Sequence, residues 1–500
     1  MEIAMKKFFM LFAVTFLLFL VTGCGSSDDG KNDSGDNGDS TADTGATTEP
    51  TDTGDTTEPA DTDPAEQGDT DPTEQDDSDA AEPSDTDEPE DPAVMQAYSV
   101  ADAHAEAVSK EIVEANTRLG LNIFEKLAIG QNENIMISPL SISIAMAMTA
   151  NATENESLAE MKEVLGYGEM ELPTVNEQFE ELIASLVSAD KDMLLEIANS
   201  VWLADWFADE IKEEFISVLE ESYDSELFTA DFGNAETVEL INSWVAEKTH
   251  GKIDKIIDSI GPDTVMHLIN AIYFKAAWSN EFDKESTFTD KFFLADGTET
   301  TADYMHFKDY ENPEGIKYRD YVIAGQDVAS VKIPYGRGAF AFYAYVANPP
   351  EYAPEDGMPE DDVLTVDEII GYFVENGIEK YLPSLTRNYY QLILPKFKFE
   401  YKKSLLKIFQ SLGLEKVFNP GGMSAAHSEL FVSEITHKTY IDVNEEGTEA
   451  AAVTDIGADV GGPANFPGFY GRRPFFFFIR DERNGSILFM GKVEKPEYEE

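Results

Sequence analysis

Residues 445–463 read EEGTEAAAVTDIGADVGGP, and this stretch is the most informative about the fold. Read with the period of a β-strand, its residues fall into two alternate sets. The set from Thr448 to Ala458 is uncharged and small to medium in size, whereas the set from Glu449 to Asp459 holds the acidic residues. A strand with this pattern can place one face on a core and the other in water.

The same stretch is framed by residues that favour a loop. Gly447 precedes the alternating part, and Gly461, Gly462 and Pro463 follow it. Its small side chains commit it only weakly to a fixed structure. A segment that can be a loop or a strand is a candidate conformational switch. The alternative is a low-complexity surface loop, which would not need its charges confined to one set.

The N-terminus has the organisation of an export signal. Two lysines precede an apolar run over residues 8–21, which is short for a membrane span. Residues 21–24, VTGC, resemble the lipobox of bacterial lipoproteins, and Cys24 is the only cysteine of the chain. We therefore expect residues 1–23 to be a signal peptide and Cys24 to carry lipid. A plain transmembrane anchor is the alternative.

Residues 24–93 are expected to form a disordered, acidic tether. Between residues 25 and 93 there are 25 acidic residues and one lysine, and most of the others are Thr, Pro, Gly, Ser and Ala. Such a segment cannot bury enough apolar surface to offset its conformational entropy. The whole chain has a net charge of −63, so nucleic acid and anionic lipid headgroups are poor partners.

Residues 94–500 have a globular composition and can bury a large core. Hydrophobic periodicity predicts helices over 101–127, 209–223, 237–249 and 366–377, and strands over 196–203, 328–335, 340–347, 389–399, 439–443, 474–480 and 486–493. Without regular strand–helix alternation, this order indicates a mixed α+β domain. Phe475 to Phe478 predict a strand buried on both faces, and residues 349–362 an exposed loop insertion.

The sequence offers no catalytic motif. It lacks a Gly-x-Ser-x-Gly elbow, a His-Glu-x-x-His pair, a phosphate-binding glycine loop and a dinucleotide fingerprint. Its six histidines have no metal-ligand spacing. We therefore expect no enzyme activity, no metal and no cofactor. A hydrolase whose triad is assembled from distant residues is the alternative.

Several motifs, in one order over nearly four hundred residues, resemble those of serpins. Residues 134–142, NIMISPLSI, are similar to the start of the family's central helix beneath its main sheet. Residues 270–278, NAIYFKAAW, are similar to the strand that leads into the breach, where that sheet opens. Residues 437–454 resemble the strand and hinge before the reactive loop, and residues 474–496 the C-terminal strand pair. The resemblance implies a serpin fold of about nine helices around three β-sheets, with an exposed reactive-centre loop at about residues 445–470.

The resemblance also implies roles for individual residues. The matched hinge positions are Glu445, Gly447, Thr448, Ala450, Ala451, Ala452 and Thr454. The matched breach and shutter positions, which control sheet opening, are Ser138, Ser141, Asn270, Trp278, Lys396 and His437. In relatives, the residues at positions 396 and 445 form a salt bridge. Ordinary capping or hydrogen-bonded residues are the alternative interpretation of these polar positions.

The family's loop spacing, counted from Glu445, places the scissile bond at Gly461-Gly462, with Val460-Gly461 as the alternative. Val460 or Gly461 before the cut fits a shallow pocket, as in elastase-like or subtilisin-like proteases. Arg472 and Arg473 would suit a trypsin-like protease, but they lie too far along the loop for productive insertion.

The function implied by the resemblance is suicide inhibition of a serine protease, with a cysteine protease as the alternative target. The protease forms an acyl-enzyme with the loop, which then inserts into the main sheet as a new strand. We expect a monomer held by the lipid on Cys24 at the bacterial cell envelope, on the outer membrane or extracellular face. The alternative is a non-inhibitory serpin-fold protein that binds at the cell surface.

Overall fold

The computed structural model describes residues 91–187, 189–191, 193–307, 315–323, 326–347, 364–384, 391–448 and 468–498. Every element described below belongs to the unit formed by residues 86–500. Some of the positions singled out above lie outside the described residues: Cys24, the insertion at 349–362, Ala450, Ala451, Ala452, Thr454, Val460, Gly461 and Gly462.

The described residues contain nine α-helices. They are α1 (Pro92–Ala107), α2 (Lys110–Ala128), α3 (Pro139–Ala150), α4 (Asn155–Leu165), α5 (Leu172–Leu186), α6 (Glu213–Tyr223), α7 (Glu236–Lys248), α8 (Val366–Asn376) and α9 (Leu406–Leu412). In this part of the chain, none of them is both long and apolar enough to cross a membrane.

Sixteen strands accompany these helices within the described ranges. They are β1 (Ile135–Ile137), β2 (Met193–Ala204), β3 (Glu226–Ala230), β4 (Met266–Ala277), β5 (Phe288–Phe293), β6 (Glu299–His306), β7 (Lys317–Ile323), β8 (Gln326–Tyr335), β9 (Phe340–Ala347), β10 (Gln391–Pro395), β11 (Phe397–Ser404), β12 (Thr436–Val443), β13 (Gly447–Thr448), β14 (Gly468–Tyr470), β15 (Phe475–Asp481) and β16 (Ile487–Val493).

The strands form three sheets. The main sheet has the order β11-β12-β13-β4-β2-β3, and the core sheet has the order β1-β16-β15-β9-β8-β7. A small sheet has the order β14-β10-β6-β5. Nine helices and three sheets agree with the architecture expected from the sequence.

The core sheet explains the run of four phenylalanines. Strand β15 pairs with β9 on one side and β16 on the other. All four rings, Phe475 to Phe478, are fully buried, as expected for a strand covered on both faces. Phe477 stacks on Phe342 of β9 with ring centroids 5.5 Å apart. The ring of Phe397, on β11 of the main sheet, packs on Phe477 with centroids 5.4 Å apart, so the two sheets share this core.

Three boundaries predicted from periodicity were wrong. The helix predicted over 101–127 is two helices, because Ser109 leaves the helical path, and its N–H donates to Gln178 at 2.5 Å. The strand predicted over 389–399 is β10 and β11, because the Lys396 N–H bonds instead to the Asp303 carbonyl at 2.8 Å. The helix predicted from 209 begins at Glu213, after a short 3-10 turn. The first two breaks coincide with these hydrogen bonds to residues distant in sequence, and the third with a hydrogen bond from the Lys212 N–H to the Ala426 carbonyl at 3.1 Å.

Candidate functional site

The start of the predicted loop is already part of the main sheet. In β13, Gly447 lies opposite Ala277 of β4 and Thr448 opposite Ala276, while Thr448 also pairs with Val443 of β12. Among the described residues β4 and β12 do not pair with each other, and β13 alone joins them. The exposed loop expected from residue 445 is therefore wrong for Gly447 and Thr448, which are buried in the sheet, and for Glu445, which is buried in the bend before it. At the far end, Phe469 and Tyr470 lie in β14.

Gly447 is required by the close approach of two backbones. Its φ is +157°, and a Cβ at this position would overlap with the carbonyl oxygen of Ala276. A residue with a side chain therefore could not enter the sheet here without moving β4.

Thr448 rests on an aromatic pair. Its hydroxyl lies 2.6 Å from the hydroxyl of Tyr335, the last residue of β8. The Tyr335 ring stacks on Trp278 with centroids 4.5 Å apart and planes 11° apart. Burial raises the pKa of Tyr335, so its phenol stays neutral. We call Glu445, Gly447, Thr448, Tyr335 and Trp278 the gate.

Trp278, one member of this aromatic pair, also forms hydrogen bonds to the backbone on either side of Glu445. Its indole N–H donates to the carbonyl of Asn444 at 2.9 Å, and its backbone N–H donates to the carbonyl of Glu446 at 2.9 Å. The resemblance places Trp278 at the breach, whereas the role of Tyr335 was not predicted. The only local signal for Tyr335 is its place between a strand and the Gly336-Arg337-Gly338 turn.

Two ion pairs hold the start of the hinge. The carboxylate of Glu445 lies 3.1 Å from the ammonium of Lys396, with both side chains largely buried. The same carboxylate accepts a hydrogen bond from the Thr287 hydroxyl at 2.6 Å. The neighbouring Glu446 pairs with Lys284. The structure thus brings together the two residues, 396 and 445, that the resemblance paired.

The predicted shutter residues lie deeper, below the main sheet. Ser138 caps α3, and its backbone N–H donates to Nε2 of His437 on β12 at 3.0 Å. The Ser138 hydroxyl accepts from the Ser141 N–H at 3.1 Å, and the Ser141 hydroxyl bonds to Asn270 of β4. Asn270 in turn donates to Asn199 of β2 at 2.7 Å. One chain of hydrogen bonds therefore connects the strands on both sides of β13.

Burial lowers the pKa of His437 to about 4, from an ordinary 6.5. The unfolded chain therefore takes up this proton near pH 6.5, and the folded chain only near pH 4. The contribution of neutral His437 to stability is complete above pH 6.5 and is lost as the pH falls from 6.5 to 4. The expected loss is about 3 kcal/mol.

Urea unfolding of the wild type and of His437→Gln, measured at several pH values, tests this expectation. Glutamine can still accept the Ser138 hydrogen bond but does not titrate. The variant should lose the part of the pH dependence between pH 4 and 6.5 that the wild type shows. Equal slopes for both proteins would show that His437 does not titrate as inferred.

Comparison with known proteins identifies the family. The family model Serpin (serine protease inhibitor) matches residues 114–496. Iripin-2 of Ixodes ricinus is 33% identical to this chain, over 77% of it and 94% of the relative. A serpin-like protein of Methanosarcina mazei is 31% identical, over 78% of this chain and 88% of the relative. The thermophilic serpin tengpin in its native state is 29% identical, has a TM-score of 0.61, and aligns over 77% of this chain and 94% of its own. The chain therefore belongs to the serpin family, as its motifs indicated.

Family membership supports a protease-inhibitor type of function in general. The described residues contain no group of three or more His, Cys, Asp or Glu side chains placed to hold a metal ion.

Proposed function

We propose that this protein is a suicide inhibitor of serine endopeptidases that works by loop insertion at the cell surface. The observation that carries the proposal is β13: Gly447 and Thr448 already lie as a strand between β4 and β12. In the proposed reaction a protease cuts the loop, and the acylated segment continues from β13 down the main sheet. The lipid predicted on Cys24 would hold the inhibitor at the cell envelope.

The register of β13 supports this path. Continued antiparallel to β4, the pairing of Thr448 with Ala276 would put Ala450 opposite Phe274 and Ala452 opposite Ile272. Residue 458 would reach Met266, where β4 begins. Residues 448–458, of which the alternate set from Thr448 to Ala458 is uncharged, would thus have pairing partners along the whole length of β4.

The buried and exposed faces of β4 also match the two alternate sets of the loop. Thr448, Phe274 and Ile272 are buried, so Ala450 and Ala452 would point into the core with them. Glu449 would face outward, opposite the exposed Lys275, and such opposite-charge pairs stabilise neighbouring strands. Every inward position from 448 to 458 is therefore small or medium and uncharged.

The shutter residues lie at a matching position. In the same register Thr454 would lie opposite Asn270 of β4, and the pairing of Val443 with Thr448 puts it opposite His437 of β12. A threonine hydroxyl can donate and accept, so it suits a site between these polar side chains. The polar cluster below the sheet would therefore receive a polar residue of the loop.

An order-of-magnitude estimate of the free energy indicates that loop insertion is strongly favourable. About a dozen new backbone hydrogen bonds at roughly 0.5–1.5 kcal/mol each, with burial of small side chains, give on the order of 10–20 kcal/mol. Fourteen residues at about 3.3 Å each correspond to a displacement of about 40 Å or more. That displacement is sufficient to disrupt the active site of an attached protease.

The second candidate is a serpin-fold protein that binds a partner without inhibiting a protease. It would be favoured by a bulky or charged residue at an inward hinge position. Thr448 and the inward residues that follow it are neither, so the hinge supports the inhibitor. The proposed targets are elastase-like or subtilisin-like, because Val460 or Gly461 precedes the proposed cut.

Incubation with elastase, subtilisin, trypsin and chymotrypsin tests the proposal. We expect an adduct that survives denaturing electrophoresis with elastase or subtilisin, and a released fragment that begins at Gly462, or at Gly461 if the cut lies one residue earlier. The same proteases with a blocked active-site serine are the control and should give no adduct. Clean cleavage of the loop without any adduct would instead identify the non-inhibitory alternative.

A further inference from the structure

Helix α1 is an addition to the part of the chain that the family model matches. It ends at Ala107, before the match begins at residue 114. Its buried side chains, Tyr98, Ala101 and Ala105, lie on the face that packs on α5. The helix is thus folded onto the domain and has a defined contact surface.

At the exposed edge of this contact, three groups bind the guanidinium of Arg337. The Arg337 guanidinium donates to both carboxylate oxygens of Asp102 on α1, at 2.5 and 3.1 Å. It lies over the ring of Tyr98, 4.5 Å from the centroid, and its Nε donates to the carbonyl of Ala189 at 2.7 Å. A bidentate pair with a stacked ring fixes both the position and the plane of a guanidinium.

Asp102 is shared by a second arginine. The Arg483 guanidinium donates to it at 3.3 Å. Burial alone would raise the pKa of Asp102, but hydrogen bonds and charge from Arg337 and Arg483 hold the pKa below its usual value. Without the Asp102 carboxylate, less negative charge would offset the repulsion between the guanidinium groups of Arg337 and Arg483. We therefore expect the Arg337 side chain to move.

Arg337 belongs to the turn that supports the gate. Its neighbour Gly336 donates a backbone hydrogen bond to the Ala277 carbonyl at 3.0 Å and accepts one from the Ser279 hydroxyl at 2.6 Å. The next residue back is Tyr335, on which Thr448 rests. A contiguous path of direct contacts therefore runs from α1 through the turn to the hinge.

We propose that α1 positions the gate: Asp102 and Tyr98 hold Arg337, and the turn then holds Tyr335 where Thr448 must sit for the loop to insert. This inference rests on the proposed inhibitory function. Asp102 and Arg337 are positioning residues, because they act through Tyr335 and do not touch the loop in the described part of the chain. Loss of the contact should slow insertion, so that a larger share of acyl-enzyme hydrolyses before the protease is trapped.

The test uses the full mature chain with Asp102→Asn, and with Glu181→Gln as the matched control. Glu181 contacts His104, also on α1, at 2.7 Å, but not the turn. We expect Asp102→Asn to slow trapping roughly three- to tenfold and to raise the number of molecules cleaved per protease inactivated. Glu181→Gln should leave this ratio within about twofold. Asp102→Glu should restore it, because it keeps the carboxylate.

A double variant identifies the route. If Asp102 acts through Arg337, the cleavage ratio of Asp102→Asn combined with Arg337→Gln should equal that of Arg337→Gln alone. Additive effects would overturn the proposed path. An Asp102→Asn protein with the same cleavage ratio as Glu181→Gln would overturn the positioning role itself.

A second readout does not depend on inhibition. Trp206 is the most exposed tryptophan at 64%, whereas Trp202, Trp244 and Trp278 are buried. In a Trp206→Phe background, Asp102→Asn should therefore increase collisional quenching by acrylamide as Trp278 loses its packing, and Glu181→Gln should not. If the wild type traps no protease, the proposed function fails, while this readout still decides whether α1 positions the gate. Unchanged quenching would contradict the proposal.

Discussion

Thr448→Arg is expected to convert the protein from an inhibitor into a substrate of its target protease. The Thr448 side chain is only 3% exposed and lies between β4 and β12 against Tyr335. An unpaired charge buried at this position costs several kcal/mol, and each 1.4 kcal/mol is about tenfold in rate. We expect insertion to slow by at least about 100-fold. Hydrolysis of the acyl-enzyme would then precede insertion, and cleaved protein would accumulate without an adduct.

Denaturing electrophoresis of a titration against a fixed amount of protease measures this change. Thr448→Ser is the matched control, because it keeps a hydroxyl near Tyr335 and adds no bulk or charge. It should still form an adduct. An equal yield of adduct from Thr448→Arg would refute insertion through the gate.

Glu445→Gln is expected to lower the free energy of unfolding by about 3 kcal/mol. The substitution leaves the Lys396 ammonium without its carboxylate in a largely buried site. Glutamine still accepts the Thr287 hydrogen bond, so the change removes mainly the charge. The Tyr498 ring, 4.3 Å from the Lys396 nitrogen, compensates only part of this loss.

Two comparisons isolate the buried pair in urea unfolding. Adding Lys396→Met to Glu445→Gln removes the unpaired charge, so the double variant should lose less stability than the two single losses together. Glu299→Gln breaks the exposed pair with Lys291 and should leave the free energy of unfolding nearly unchanged. Additive losses at Glu445 and Lys396 would show that the two residues do not act as a pair.

Local patterns in the sequence predicted the fold class, most of the strands and the switch-like character of residues 448–459. These features depend on periodicity, which a chain displays without its tertiary structure. The four buried phenylalanines of β15 and the Thr365-capped helix α8 are examples. The pairing of Lys396 with Glu445 came from the family resemblance, since the two residues are far apart in sequence.

Other features of the site depend on contacts that no local pattern records. The sequence indicates only that Tyr335 ends a strand. The folded chain shows that its hydroxyl contacts the hydroxyl of Thr448, 113 residues away. The link between Asp102 and Arg337 spans 235 residues. The entry of Gly447 into the sheet was missed because a glycine before a small-residue segment reads as loop. The close approach of the β4 backbone decides that position.

Thermal melting of intact and loop-cleaved protein tests the central claim most directly. Limited proteolysis with a non-target protease would cut the loop without forming an adduct, and the uncut protein treated with the blocked protease is the control. If cleavage releases on the order of 10–20 kcal/mol, the cleaved form should melt at least about 10 °C above the intact form. Equal melting temperatures would mean that no strand is gained, and would contradict inhibition by loop insertion.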